Sequence, residues 1–153
     1  MFLVKDNYKE RKNRIKGFLK TEPPIAIILS AVHFEWTIRR AIIALGYSSN
    51  KEIRIKLFCC HGLDNYKQLW KDEVVNHQNF PLLSKIINNW SNFKTAFEER
   101  HRLVHGVSSC SEIFATPKVE LILLGANDVR EFCEGNGIDL YERIPVRKVN
   151  SVW

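Results

Sequence analysis

From Ile25 to Leu45 the chain is almost continuously apolar, and Pro23-Pro24 and Gly46 bracket the run. A helix that is hydrophobic nearly all round has to be surrounded by other elements rather than laid on a surface. The run therefore predicts a long central helix, closed by Gly46 through the left-handed cap conformation open to glycine. It does not read as a membrane span. Its most apolar part, Ile25 to Val32, is interrupted by Ser30 and followed by His33, Glu35, Arg39 and Arg40, well short of the ~20 apolar residues a bilayer demands.

A second periodic stretch, Leu82 to His105, contains neither Gly nor Pro, and Gly106 stops it. Ile86, Trp90, Phe93 and Phe97 recur there at helical spacing, which predicts one helix with those residues on its buried face. Between the two, Ser48, Ser49 and Asn50 offer N-caps for a helix through Ile53, Leu57 and Phe58, broken near Gly62 and resuming from Asp64 to about His77. Further along, 108–117 reads as a loop, Val119 to Leu124 as a short buried strand, Asn127 to Glu134 as a short helix and 139–149 as an extended segment. The expected fold is mainly α, a bundle of about four helices with a basic N-terminal helix and a small C-terminal β-containing appendage. A chain of 153 residues, 45% apolar and 26% charged, can bury one core and is not composed like a disordered segment. We expect a single domain over 1–153, with its core at about 24–106 and the appendage at about 117–150.

Cys59, Cys60, Cys110 and Cys133 form no CxxC pair, so free thiols are expected. Cys59-Cys60-His61 is a poor metal set, because adjacent ligands on one segment seldom converge on one ion. No metal and no cofactor are expected. The N-terminal stretch carries acidic residues and no long apolar region leading to a cleavage site, so the expected address is cytoplasmic.

The charge of +6 is concentrated near the two ends. Residues 5–20 hold seven Lys/Arg against Asp6 and Glu10, and 143–148 hold Arg143, Arg147 and Lys148 without an acid. A polyanion such as RNA would meet these ends first. Lys9, Arg11, Lys12, Arg14 and Lys16 are thus candidate RNA contacts, although Ile15, Phe18 and Leu19 among them equally fit a solvated amphipathic helix.

The stretch with most chemical content is Glu98-Glu99-Arg100-His101-Arg102-Leu103-Val104-His105-Gly106. On a helix turning about 100° per residue, His101 and Val104 continue the face of Ile86, Phe93 and Phe97, with Arg100 and His105 beside it. Glu98, Glu99 and Arg102 point away. A core face would then end in one arginine and two imidazoles. Burying an arginine without a partner is costly, so this helix end should open into a groove, a subunit interface or an anion site. A guanidinium grips phosphoryl oxygens with a planar fork of donors, and an imidazole with a pKa near ~6.5 exchanges protons at neutral pH. In RNA the neighbouring 2′-hydroxyl is a built-in nucleophile, whose attack on phosphorus needs His and Arg but no metal.

The run Arg100-His101-x-x-x-His105, followed by Gly106, resembles the signature of the HEPN (higher eukaryotes and prokaryotes nucleotide-binding) superfamily: an Arg, a polar residue and, after three more, a His. The apolar first long helix with Glu35 and Arg39 agrees with that four-helix fold, and the resemblance covers roughly residues 24–106. It implies a metal-independent endoribonuclease that leaves 2′,3′-cyclic phosphate ends, with the motifs of two subunits meeting at a homodimer interface. Toxins and antiphage effectors of this kind have RNA as substrate and an antitoxin protein as a possible partner. Carried over by position, Arg100 would stabilise the charged phosphate transition state, and His105 would act as general base or acid. His101 would orient the pair or contact phosphate. Arg102, apart from that correspondence, is a further candidate RNA contact. Glu35 would support the site, although Glu35 with Arg39 is equally an ordinary i,i+4 ion pair. Arg100 and His105 also fit a helix-end pair favoured by the dipole. The alternative for the whole chain is a non-catalytic RNA- or partner-binding module of a defence complex. Trp36, Trp70 and Trp90 are expected in the core, and His33, His61 and His77 at the surface or in caps.

Overall fold

A computed structural model describes residues 5–106 and 109–147, and every regular element among them is helical. Helix α1, Tyr8–Gly17, starts at a reciprocal cap in which the Asn7 side chain accepts from the Glu10 amide and the Glu10 carboxylate accepts from the Asn7 amide. Helix α2 is Pro23–Leu45, its first positions taken by prolines whose missing amide hydrogens cost nothing there. Helix α3, Asn50–Phe58, has the same reciprocal cap from Ser49 and Glu52. Helix α4, Leu63–Trp70, runs on through a π-helical segment, Lys71–Val75, into α5, Asn76–Gln78, and stops at the left-handed Asn79. Then come α6 (Leu83–Ile86), α7 (Trp90–Val104) and α8 (Glu112–Gly135).

The chain divides into two compact units, the division falling within α2 and α8. One unit draws on residues up to Trp36 and on Asn89–Asn127. Its core centres on Phe34, whose ring lies 4.7 Å from Phe93 and 5.5 Å from Phe97, centroid to centroid. Ala115, Val119, Ile122, Leu123 and Ala126 of α8 are buried in this unit. At Gly125 a Cβ would run into the Phe93 ring, so only glycine allows this approach.

The other unit draws on Thr37–Asn88 and on the chain from Asp128 onward. Ile38, Ile42, Ile53, Tyr66, Trp70 and Val74 are fully or almost fully buried in it. The Trp70 indole N–H donates to the Pro81 carbonyl at 3.0 Å. In the π-helical segment, buried Glu73 accepts from the Ser48 amide at 2.9 Å, from the Ser48 hydroxyl at 2.8 Å and from the Lys56 ammonium. Burial works to raise the Glu73 pKa, and these hydrogen bonds outweigh it and hold the carboxyl below its ordinary range. Arg147 donates to the carbonyls of Ala44 (2.9 Å) and Ile43 (2.5 Å), two of the acceptors left open at the end of α2, and to Ser48 (3.2 Å). Arg40 reaches the Leu140 and Glu142 carbonyls, both at 2.5 Å.

The C-terminal β appendage is not found among the described residues. Val119 to Leu124, expected as a strand, lies inside α8. Its Ala115, Val119, Ile122, Ala126, Val129 and Cys133 are buried at helical spacing, and a short apolar run cannot be told from a buried helical turn by periodicity alone. Pro117, read as part of a loop, is the sixth residue of α8, past its first turn; it withholds one hydrogen bond of the ladder, to the Ile113 carbonyl, and the helix continues through it. Residues 139–147 make no strand and are fixed by the Arg40 and Arg147 bonds, while 148–150 lie outside the described residues.

Two further expectations change. The helix expected over 82–105 is interrupted between α6 and α7, where Asn89 takes a left-handed conformation (φ 56°). Gly46 does not have a positive φ; it is required for space, because a Cβ there would lie 2.5 Å from Ile53 Cδ1 and 2.6 Å from the Ile42 carbonyl oxygen.

Candidate functional site

Helix α7 delivers the motif to its own C-terminal end. The backbone amide of His105 donates to the His101 carbonyl at 3.2 Å, and Gly106 (φ 65°) turns the chain away in the left-handed region, as its position after the periodic run predicts. Arg100 Nη1 stands 2.5 Å from Glu35 Oε1, joining α7 to α2 inside one unit. Arg100 is 35% exposed and Glu35 20%, so the pair is sheltered while part of the guanidinium fork remains open to solvent. The His101 and His105 rings lie 4.3 Å apart at 60°, both exposed. The structure thus brings Arg100 to Glu35 and His101 to His105, with Glu35 on α2, Arg100 and His101 on α7 and His105 at its C-cap, all in the same unit.

Glu35 takes Arg100 as its partner rather than Arg39, whose Nε donates to the Tyr66 hydroxyl at 2.8 Å. The buried face of α7 is also turned from the expected one. Phe93 and Phe97 are joined by Ala96, Glu99 and Leu103, while His101 and Val104 are exposed. The reason lies within α7: Trp90 is only half-buried, and Phe93 and Phe97 lie towards one side of the buried face, whose other members include the small Ala96 and the charged Glu99, which give no apolar signal. Glu99, expected to point away, is buried, with Arg102 at 3.6 Å.

The basic N-terminal residues divide by environment. Lys9 is exposed and Lys12 half-buried. Arg11 is not at the surface: it is 2% exposed, its Nε donates to the Asp6 carbonyl at 3.1 Å, and its guanidinium lies 3.8 Å from the Trp36 ring centre. An amphipathic helix can bury an arginine against an aromatic face because a guanidinium is flat and weakly hydrated. Arg14 is ion-paired to Asp6 at 2.7 Å and Lys16 to Glu120 at 2.5 Å. Those pairings take charge away from any polyanion.

His33 is the residue that composition and spacing missed. Expected at the surface or in a cap, it is 1% exposed, with ring centroids 6.2 Å from Tyr8 and 6.5 Å from Trp36. Burial, and after it the positive charge of Arg11, pushes the imidazole down to about 4. Its i,i+3 spacing from Trp36 on an apolar helix was the available signal. His61 and His77 are exposed, as expected; Trp70 is buried, while Trp36 and Trp90 are only partly so.

All four cysteines are free. Among the described residues no three His, Cys, Asp or Glu side chains group as metal ligands would, and no helix is long and apolar enough to cross a membrane. No family model, no curated protein and no solved structure matches this chain.

Proposed function

We propose that this chain is a metal-independent endoribonuclease of the HEPN type, cleaving RNA by attack of a 2′-hydroxyl on the adjacent phosphorus. The observation that carries the reading is the Glu35–Arg100 ion pair together with the ring contact of His101 and His105 at the same end of α7. Glu35 fixes one edge of the Arg100 guanidinium, and the remaining N–H groups are free to hold non-bridging phosphate oxygens as charge builds on them. His105 and His101 supply the proton transfers. One imidazole takes the 2′-hydroxyl proton as the O2′–P bond forms; an imidazolium gives a proton to the 5′-oxygen as the P–O5′ bond breaks, leaving a 2′,3′-cyclic phosphate. In this reading two copies pair with their motifs in a shared groove. The protein serves as a toxin or antiphage effector in the cytoplasm, restrained by an antitoxin protein. Lys9, Lys12 and Arg102, which keep exposed or half-exposed positions, are the RNA contacts that remain from the sequence.

A second reading, a non-catalytic module that grips RNA or a partner through the same residues, is favoured by one feature. Arg100 already has a carboxylate partner, which is what a purely structural helix-end arginine would have. The two readings separate when end-labelled RNA is incubated in excess EDTA with the wild type, Arg100→Ala and His105→Ala. Endonuclease action requires wild-type cleavage to cyclic-phosphate ends and a loss of about a hundredfold or more in each variant. Salt-sensitive binding by all three without product identifies the binding module.

A further inference from the structure

Helix α3 has apolar side chains on two opposite faces. Ile53 and Leu57 face the core and are buried, while Ile55 is 61% exposed and Phe58 83%. The outward residues Lys51, Arg54, Ile55, Phe58 and Cys59 line a concavity of about 460 Å³. They recur at i, i+3, i+4, i+7 and i+8, the spacing of a stripe against which another helix packs. A solvated helix would carry polar residues at Ile55 and Phe58. Single exposed apolar residues are ordinary, but two large ones in one stripe around a concavity mark an interaction surface.

The charged residues that line the concavity, Lys51 and Arg54, have one sign. Glu52, exposed on α3 but not among the lining residues, is folded back to accept from the Ser49 amide (3.0 Å) and hydroxyl (2.8 Å). Lys56 is turned to Glu73. Lys51 and Arg54 are exposed and have no ion pair among the described residues. The surface therefore presents Ile55 and Phe58 as anchors with Lys51 and Arg54 as a cationic margin. Its lining residues include no carboxylate for a basic ligand, and its apolar centre lacks the row of cations that would follow a phosphate backbone.

We propose that the outward face of α3 docks an acidic amphipathic helix of a partner protein, its apolar side chains over Ile55 and Phe58 and its carboxylates against Lys51 and Arg54. Apolar contact supplies the affinity, and the two cations select the sign and orientation of the helix. The surface shares no residue with the Arg100 site, so its occupancy stands or falls independently of RNA cleavage.

The test uses the full chain and two labelled synthetic helices, one with leucines at i and i+4 flanked by glutamates, the other with lysine at every glutamate. Fluorescence anisotropy should show the acidic helix binding at least tenfold more tightly than its basic twin. Phe58→Ser and the pair Lys51→Glu/Arg54→Glu should each weaken it at least tenfold, and the charge-reversed pair should prefer the basic twin. These side chains are exposed, so unchanged helicity and melting temperature certify the variants; Ile55→Ser replaces Phe58→Ser if the latter unfolds. Equal binding of both helices, no binding of the acidic one, or binding indifferent to every variant would overturn the proposal. Salt-sensitive binding of an RNA oligomer lost in the same variants would assign the face to nucleic acid instead.

Discussion

Arg100 on α7 and Glu35 on α2 hold each other at 2.5 Å, and the guanidinium keeps only part of its fork for anything else. A pair of this kind sets direction as well as charge. Removing the carboxylate leaves Arg100 free to swing through its rotamers, while removing the arginine leaves the sheltered Glu35 carboxylate without this cation.

If Glu35 orients Arg100, Glu35→Gln should lower RNA cleavage about tenfold or more in EDTA, chiefly through the maximal rate. Arg100→Lys should fail to rescue, because an ammonium cannot bond a carboxylate and a phosphate through one planar fork. Full activity in both variants would remove the pair from the mechanism.

The pH dependence of stability should carry the signature of His33. With a folded-state pKa of about 4 and an ordinary value of 6.5, the unfolded chain binds the extra proton between those limits. The contribution is complete above pH 6.5 and is lost as pH falls through the window towards 4, by about 3 kcal/mol in full. Urea unfolding of wild type and His33→Gln at pH 7.5 and 4.5 should show a smaller acid loss in the variant. Parallel losses would contradict the buried neutral imidazole.

Gly125→Ala reverses a familiar sign. Glycine to alanine inside a helix ordinarily stabilises by about 1 kcal/mol, yet here the new methyl meets the Phe93 ring. The variant should be destabilised by about 1–3 kcal/mol by denaturant titration, and Gly125→Ala with Phe93→Leu should recover part of that.

Arg147→Met keeps most of the side chain's bulk and removes its donors to Ile43, Ala44 and Ser48. Charged hydrogen bonds of this kind contribute about 2 kcal/mol in total after solvation, and that is the expected loss at neutral pH. Hydrogen exchange should show faster opening at the C-terminal turn of α2, with α7 unaffected.

Several local signals match the structure. Pro23 and Pro24 open α2, Ser49, one of the three N-caps offered, caps α3, and Gly106 stops α7, each within a turn of its own position, whereas Gly46, an equally local signal, does not take the left-handed cap conformation. What apolar spacing cannot supply is the place of small and charged residues on a buried face, and partnership at a distance. Trp90, Phe93 and Phe97 suggest a face that continues through His101, whereas Ala96, Glu99 and Leu103 turn the buried side of α7 the other way, the reverse of the expected burial of Glu99 and His101. Val119 to Leu124 is rich in Val, Ile and Leu and would fill a strand equally well; only its neighbours Ala115, Ala126 and Val129, buried at helical spacing, decide for α8. The Glu35 partner is a case of distance. Arg39 stands one turn away and Arg100 on another helix, and the fold, not the spacing, chose between them.

The clasp of Arg147 on the end of α2 has a consequence for biosynthesis. A nascent chain emerges from its N-terminus, so α2 is outside the ribosome long before Arg147 is made. Until then the carbonyls of Ile43 and Ala44 stay with water, and the helix waits for its last ligands. Closing a loop of that length is slow compared with forming local turns. Translation therefore orders the events: these bonds at the end of α2 form only after Arg147 has cleared the exit tunnel, and a ribosome stalled before Arg147 would hold a chain whose α2 segment lacks these donors.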